Sequence, residues 1–276
     1  MKLGVVTAAL APARSPEALQ PELLFAAAHR LGLRALELPG RGWTEDGFVE
    51  RVGALQARYG IEAHVGFGDD YVTHGADQPA ERFAEFVERV CQPLGMKIIG
   101  TVSPFHGGRW RRDPPLAVQL ERLGAALGRL APIAEAGGVY LALENHADYR
   151  GDELAAVIRQ VGSPAVGARF DTANPYAVIE EPVMAAAALA PMTLSTHIKD
   201  MVVEAEPGNR GLSGGLLALR ACALGEGHVD LPAIVALLAE QSPLKNELVL
   251  TIETRPDFLE ASVQYARRVF VSYLEE

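Results

Sequence analysis

Short apolar runs alternate along this chain with longer segments of helical period, and that alternation restricts it to very few folds. Eight runs rich in Val, Ile and Leu occupy residues 3–7, 35–38, 61–67, 97–103, 139–145, 166–171, 194–199 and 247–254. Between them, apolar residues recur every three or four positions. Leu116, Leu120, Leu123, Leu127 and Leu130 share one helix face, as do Phe83, Phe86, Val87 and Val90, and Ile234, Val235, Leu237 and Leu238. Strands separated by helices pair in parallel, because each helical crossover returns the chain to the same end of the sheet. Eight such units close into a (β/α)8 barrel. Proline marks the expected helix starts, at Pro21, Pro114-Pro115, Pro182, Pro232 and Pro256, where a missing N–H costs nothing.

A barrel of this kind fits 276 residues as one domain, and no Ser/Pro/Gly-rich linker divides the chain, so residues 1–276 are expected to form a single unit. The net charge of −10 argues against the phosphate backbone of nucleic acid as the main partner, since that affinity comes from Lys and Arg. Cys91 and Cys222 stand alone, without a CxxC pair or disulfide-rich spacing, and the start MKLGVVTAAL lacks the features of a signal peptide. The expected location is the cytoplasm. The longest low-polarity stretch, residues 183–194, is broken by Pro191 and falls short of the roughly 20 apolar residues a membrane span needs.

The chemistry lies at the ends of the last four runs. Glu144 closes VYLALENH, Asp171 closes VGARFDTAN, His197 lies in TLSTHIKD and Glu253 in ELVLTIET. A parallel barrel gathers the C-terminal ends of its strands around one mouth, so residues far apart in sequence would share one ion. Each alone is better read as a helix cap or a core histidine. Together, three carboxylates and one imidazole suit a divalent cation, Mn²⁺ or Co²⁺ first and Mg²⁺ or Zn²⁺ as alternatives, more than a soft thiolate-bound ion.

The series LENH, FDTAN, HIKD and TIET, with GEGHVDLPAIVALL beside it, resembles the xylose isomerase-like TIM barrel superfamily, the sugar phosphate isomerase and epimerase family, over nearly the whole chain. The resemblance implies that Glu144, Asp171, His197 and Glu253 bind one divalent metal. It also implies that Glu144 and Glu253 move protons next to a carbonyl of a small polyol or ketose. Two departures count against a plain ketose 3-epimerase. Asn174 stands where those enzymes place a substrate-binding His, and Val203 where they place an Arg. HIKD is closer to the HxKD of inosose dehydratase relatives, with Lys199 positioned to bind or protonate a leaving oxygen, so a lyase sharing the first step is an alternative. Abasic-site endonucleases of the superfamily add His and Asp ligands that this chain lacks at the matching positions, and a non-catalytic barrel subunit is the last alternative.

Substrate contacts are expected from His64 and His106, at strand ends on the same mouth, and from Asn174 and Lys199, with a structural role as the alternative for each histidine. His146, Glu37 and Asp200 are secondary candidates. The segment GGRWRRDP, with Arg109, Trp110, Arg111 and Arg112, reads either as a grip on phosphate or sugar or as a solvated basic loop. The long Gly-rich connection over residues 200–230 reads either as a cover for the site or as a partly helical insertion around residues 216–224. No phosphate loop, dinucleotide fingerprint or nucleophile elbow occurs. The expected partner is a small sugar or polyol, with no nucleic acid and no membrane. A homo-oligomer is the alternative to a monomer.

Overall fold

The computed structural model describes residues 1–11, 20–40, 42–73, 77–103, 108–205 and 217–275. The eight apolar runs form eight strands: β1 (Lys2–Val6), β2 (Ala35–Leu38), β3 (Glu62–Val65), β4 (Ile98–Thr101), β5 (Tyr140–Glu144), β6 (Val166–Asp171), β7 (Thr193–Ile198) and, after a two-stranded insertion, β10 (Val249–Ile252). They pair in parallel in the order β3-β2-β1-β10-β7-β6-β5-β4. Just beyond β3 the Phe67 N–H donates to Gly100 O of β4 at 2.9 Å, which draws the two edges into a nearly closed barrel.

Among the described residues, eight α-helices of eight residues or more cover the outside: α1 (Pro21–Arg30), α2 (Phe48–Tyr59), α3 (Asp77–Phe86), α4 (Leu116–Gly137), α5 (Gly151–Val161), α6 (Pro182–Leu189), α7 (Leu231–Gln241) and α8 (Leu259–Val269). Their apolar faces pack against the strands. In α4, Leu123, Leu127 and Leu130 are fully buried while Leu116 and Leu120 complete the stripe at its edge. Each fully buried leucine of this kind contributes about 1.5–3 kcal/mol. Pro21 and Pro182 open α1 and α6 as expected, whereas Pro115 sits just before α4 as its cap. Among the described residues no helix is long and apolar enough to cross a membrane.

Over residues 217–224 the connection after β7 is not helical. It forms an antiparallel ribbon of β8 (Met201–Ala205) and β9 (Leu217–Ala221), paired from Met201 with Ala221 to Ala205 with Leu217. VVEA and LALRA carry apolar residues on a partly exposed surface, and a ribbon satisfies their backbone across the pair. Its base is pinned by Asp200, whose carboxylate accepts the N–H groups of Met201, Gly225, Gly227 and Val229 at 2.9–3.1 Å. A Cβ on Gly227 would lie 2.1 Å from Asp200 Oδ1, so the second glycine of GEG is required by this contact. Asp200 is thus a structural anchor of the insertion. Residues 206–216, which the cover reading also includes, lie outside the described residues.

Candidate metal centre

Glu144 and Asp171 are the last residues of β5 and β6, His197 is the penultimate residue of β7, and Glu253 directly follows β10. Those four strands are neighbours in the sheet, so their C-terminal ends place four side chains on one stretch of the barrel mouth. Local bonds fix their heights. Asp171 pairs in register with His197, and the Glu253 N–H donates to Ile198 O at 3.0 Å. The Asn145 amide ties β5 to β6 by accepting the Asp171 N–H at 2.6 Å and donating to Asp171 O at 2.9 Å.

One ligand atom from each of Glu144, Asp171, His197 and Glu253 lies within 4.8 Å of the others, the one such group among the described residues. His197 Nδ1 is central, 2.9 Å from Glu253 Oε2, 3.5 Å from Glu144 Oε1 and 4.0 Å from Asp171 Oδ2. Asp171 Oδ1 accepts the N–H groups of Ala173 and Asn174, both at 2.9 Å, which turns Oδ2 into the cluster. His197 Nδ1 and Asp171 Oδ2 are buried and make no well-aligned hydrogen bond, and their near neighbours are the ionic groups Glu253 Oε2 at 2.9 Å and Lys199 Nζ at 2.8 Å. Buried polar atoms are seldom left so. One imidazole nitrogen converging with three carboxylates forms a donor set that fits a divalent ion. The far nitrogen of the imidazole, Nε2, lies 3.2 Å from Glu37 Oε2, the carboxylate support that metal-binding histidines usually have.

Charge is crowded here. Burial pushes Asp171 up to about 6, the acidic neighbours Glu253 and Glu144 add to that, and Lys199 opposes it. For His197 burial disfavours the charged form, but Glu37, Glu144 and Glu253 outweigh it and raise the pKa well above the ordinary range. Glu253 and Glu144 move the other way. Burial raises both, yet Lys199 and His197 for Glu253, and His197 for Glu144, hold them below the usual carboxylate range. Lys199 Nζ sits 2.8 Å from Asp171 Oδ2 and 3.4 Å from Glu253 Oε1, inside the cluster.

The other expected site residues are placed as follows. Asn174 opens a short 3₁₀ turn and donates its side-chain N–H to Glu144 Oε1 at 3.2 Å, so its amide supports a carboxylate of the cluster. His64 Nε2 lies 3.9 Å from Glu62 Oε2 at the start of β3, and among the described residues no hydrogen bond joins it to the four. His106 lies outside the described residues. His146, just past Glu144, has Nδ1 3.8 Å from Asp148 Oδ2, and both oxygens of the fully buried Asp148 lack a hydrogen-bond donor. Arg109 is not solvated. It is half-buried and bonds both oxygens of Glu153 at 2.8 and 3.1 Å, with Trp110 exposed beside it. A cavity of about 720 Å³ lined by Met1, Lys2, Arg34, Glu62 and Arg267 opens at the strands' N-terminal end, and none of Glu144, Asp171, His197 and Glu253 lines it.

Two residues matter more than their sequence context suggests. Glu37 of β2 contacts His197, and Arg169 of β6 donates to Glu37 Oε1 at 2.8 Å. Burial raises the Glu37 pKa, but Arg169 and His197 together outweigh it and bring the pKa down to about 2. The available signal was a lone Arg in the buried run VGARFD, two residues before Asp171 and therefore on the same face.

A barrel of eight parallel strands with three carboxylates and an imidazole converging at its C-terminal mouth defines an α/β barrel with a candidate divalent-metal centre. A family model described as the xylose isomerase-like TIM barrel matches residues 25–269, and the chain belongs to that family. It is similar to the uncharacterized protein YihM of Escherichia coli K12, 29% identical over 101 residues, which is 37% of this chain; the match spans only 29% of YihM. Among solved structures it is similar to D-psicose 3-epimerase from Clostridium cellulolyticum H10, in complex with D-tagatose. The TM-score is 0.73 at 16% identity, covering 98% of this chain and 99% of that one. It is also similar to the IolI protein, solved with a bound zinc atom, with a TM-score of 0.70 at 18% identity, covering 99% of this chain and 98% of that one.

Proposed function

We propose that the protein is a divalent-metal-dependent isomerase or epimerase acting next to the carbonyl of a small polyhydroxylated compound. The observation that carries this reading is that two glutamates flank one imidazole nitrogen, Glu253 at 2.9 Å and Glu144 at 3.5 Å, within a set able to hold a metal. Glu144, Asp171, His197 and Glu253 would hold the ion, which supplies Lewis acidity toward a carbonyl and its neighbouring hydroxyl. Glu253, a third exposed and kept ionised by Lys199 and His197, is the base that takes the proton from the carbon beside the carbonyl. The C–H electron pair then becomes the double bond of an enediolate. Glu144, buried and steadied by Asn174, takes the proton of the neighbouring substrate hydroxyl and delivers it to carbon, while the proton held by Glu253 passes to a substrate oxygen. Delivery to the same carbon from the other face gives an epimer, and delivery to the next carbon gives an isomer. Mn²⁺ or Co²⁺ is the favoured ion.

Lys199 supports a second reading. Its ammonium lies within the cluster, where it can donate a proton to a departing hydroxyl, so the same deprotonation would end in loss of water. One experiment separates the two. Metal-loaded protein is incubated with ketoses and inososes in D₂O and followed by NMR. Deuterium at an α-carbon with the formula retained supports the isomerase or epimerase, loss of water supports the dehydratase, and no exchange or conversion across the panel refutes both.

A further inference from the structure

Arg169 occupies an unusual place for a guanidinium. It is two residues before Asp171 on β6, so it faces the barrel interior one layer deeper, and it is only 4% exposed. Its room comes from β4, where a Cβ on Gly100 would fall 1.5 Å from Arg169 Nη2. Its counter-charge comes from β2, where Nη1 donates to Glu37 Oε1 at 2.8 Å. The other oxygen of the same carboxylate, Oε2, lies 3.2 Å from His197 Nε2 on β7. A chain of polar contacts therefore crosses the barrel from β6 through β2 to β7. The β6–β7 pairing is irregular at the same level, with a register shift between Ala168 and Arg169. A buried ion pair is poor evidence of stability, since well-packed apolar residues generally serve as well.

We propose that Arg169 is a positioning residue for the metal centre: by clamping Glu37 it holds the His197 ring with Nε2–H toward Glu37 and Nδ1 toward Glu144, Asp171 and Glu253. This rests on those four residues binding a divalent ion. Glu37 needs both oxygens aimed correctly, and Arg169 is the donor that fixes one while the imidazole takes the other.

The sign of the effect separates positioning from simple electrostatics. Arg169 is a cation two residues from a metal ligand, so removing it as a charge alone would tighten cation binding. Removing it as a clamp loosens binding, by about 10- to 100-fold as for other supports of metal ligands. Mn²⁺ and Zn²⁺ affinities are measured for wild type, Arg169→Met, Glu37→Gln and the double variant, with thermal melts to establish folding. The double variant neutralises both partners and so avoids a lone buried charge if a single variant does not fold. The proposal expects Arg169→Met to bind about 10- to 100-fold more weakly and the double variant to bind no worse than the weaker single. In Zn²⁺-loaded protein, ¹⁵N NMR should show His197 protonated on Nε2 in wild type and a mixture of ring states in Arg169→Met. Unchanged or tighter binding by the folded variants, strictly additive losses, or identical His197 spectra would overturn it. Wild type that binds neither ion overturns the metal reading as well; wild type that binds while the variants match it overturns only the role of Arg169.

Discussion

Gly100→Ala should be strongly destabilising although nothing in its backbone forbids alanine. Gly100 is absent from the glycines with positive φ, and a strand glycine ordinarily gains about 0.5–1 kcal/mol on conversion to alanine. Here the new methyl group would lie 1.5 Å from Arg169 Nη2 and 1.7 Å from Cζ. The contact is too close for small adjustments, and the guanidinium must leave its place beside Glu37. Breaking a buried ion pair costs about 3–5 kcal/mol, so the net loss is about 2–4 kcal/mol after the backbone gain. For a chain of this size the melting temperature should fall by on the order of 10 °C. Urea unfolding and thermal melts of wild type, Gly100→Ala and a Gly66→Ala control measure it. The control places its Cβ 3.7 Å from Gly100 O, an ordinary contact, and should match wild type or exceed it by up to about 1 kcal/mol. If Gly100→Ala is as stable as wild type or more so, Arg169 does not cross the barrel against β4 and the clamp is refuted.

Other consequences are more local. Asp171→Asn and His197→Ala should each lose bound metal after purification in Mn²⁺, and unchanged metal content by elemental analysis in both would contradict the centre. The lowered Glu37 pKa, about 2 against an ordinary 4.5, means the folded state prefers the carboxylate. Its contribution, about 3 kcal/mol, is present above pH 4.5 and disappears as pH falls toward 2. The stability gap between wild type and Glu37→Gln should therefore shrink over that window, and a constant gap would contradict the shift. Asp200→Asn turns an NH₂ toward the Gly225 and Gly227 N–H groups, which now meet a carboxylate oxygen at 2.9 and 3.0 Å. It should lose about 3 kcal/mol in urea unfolding yet keep its metal; loss of metal with little loss of stability would make Asp200 part of the site instead.

The expected ligands came together because their geometry follows from a simple rule. Glu144, Asp171, His197 and Glu253 end neighbouring parallel strands, so strand count and chain direction suffice to gather them. The ribbon after β7 was less legible. Its apolar residues fit a helix or a strand locally, and only pairing between Met201–Ala205 and Leu217–Ala221 decides between them. Arg109 shows the same limit, since its partner Glu153 is 44 residues away and turns an apparently solvated basic loop into a half-buried ion pair.

From its sequence alone, the chain determines an eight-unit parallel barrel and a row of acids and one imidazole at strand ends, because period and strand order are local properties repeated along the chain. Tertiary structure alone decided what those residues lean on. Arg169, Glu37 and His197 lie on three strands, with no periodicity linking them, and each owes its orientation to contacts across the barrel interior. Burial there removes water as a partner, so every charged group must find its complement among side chains distant in sequence.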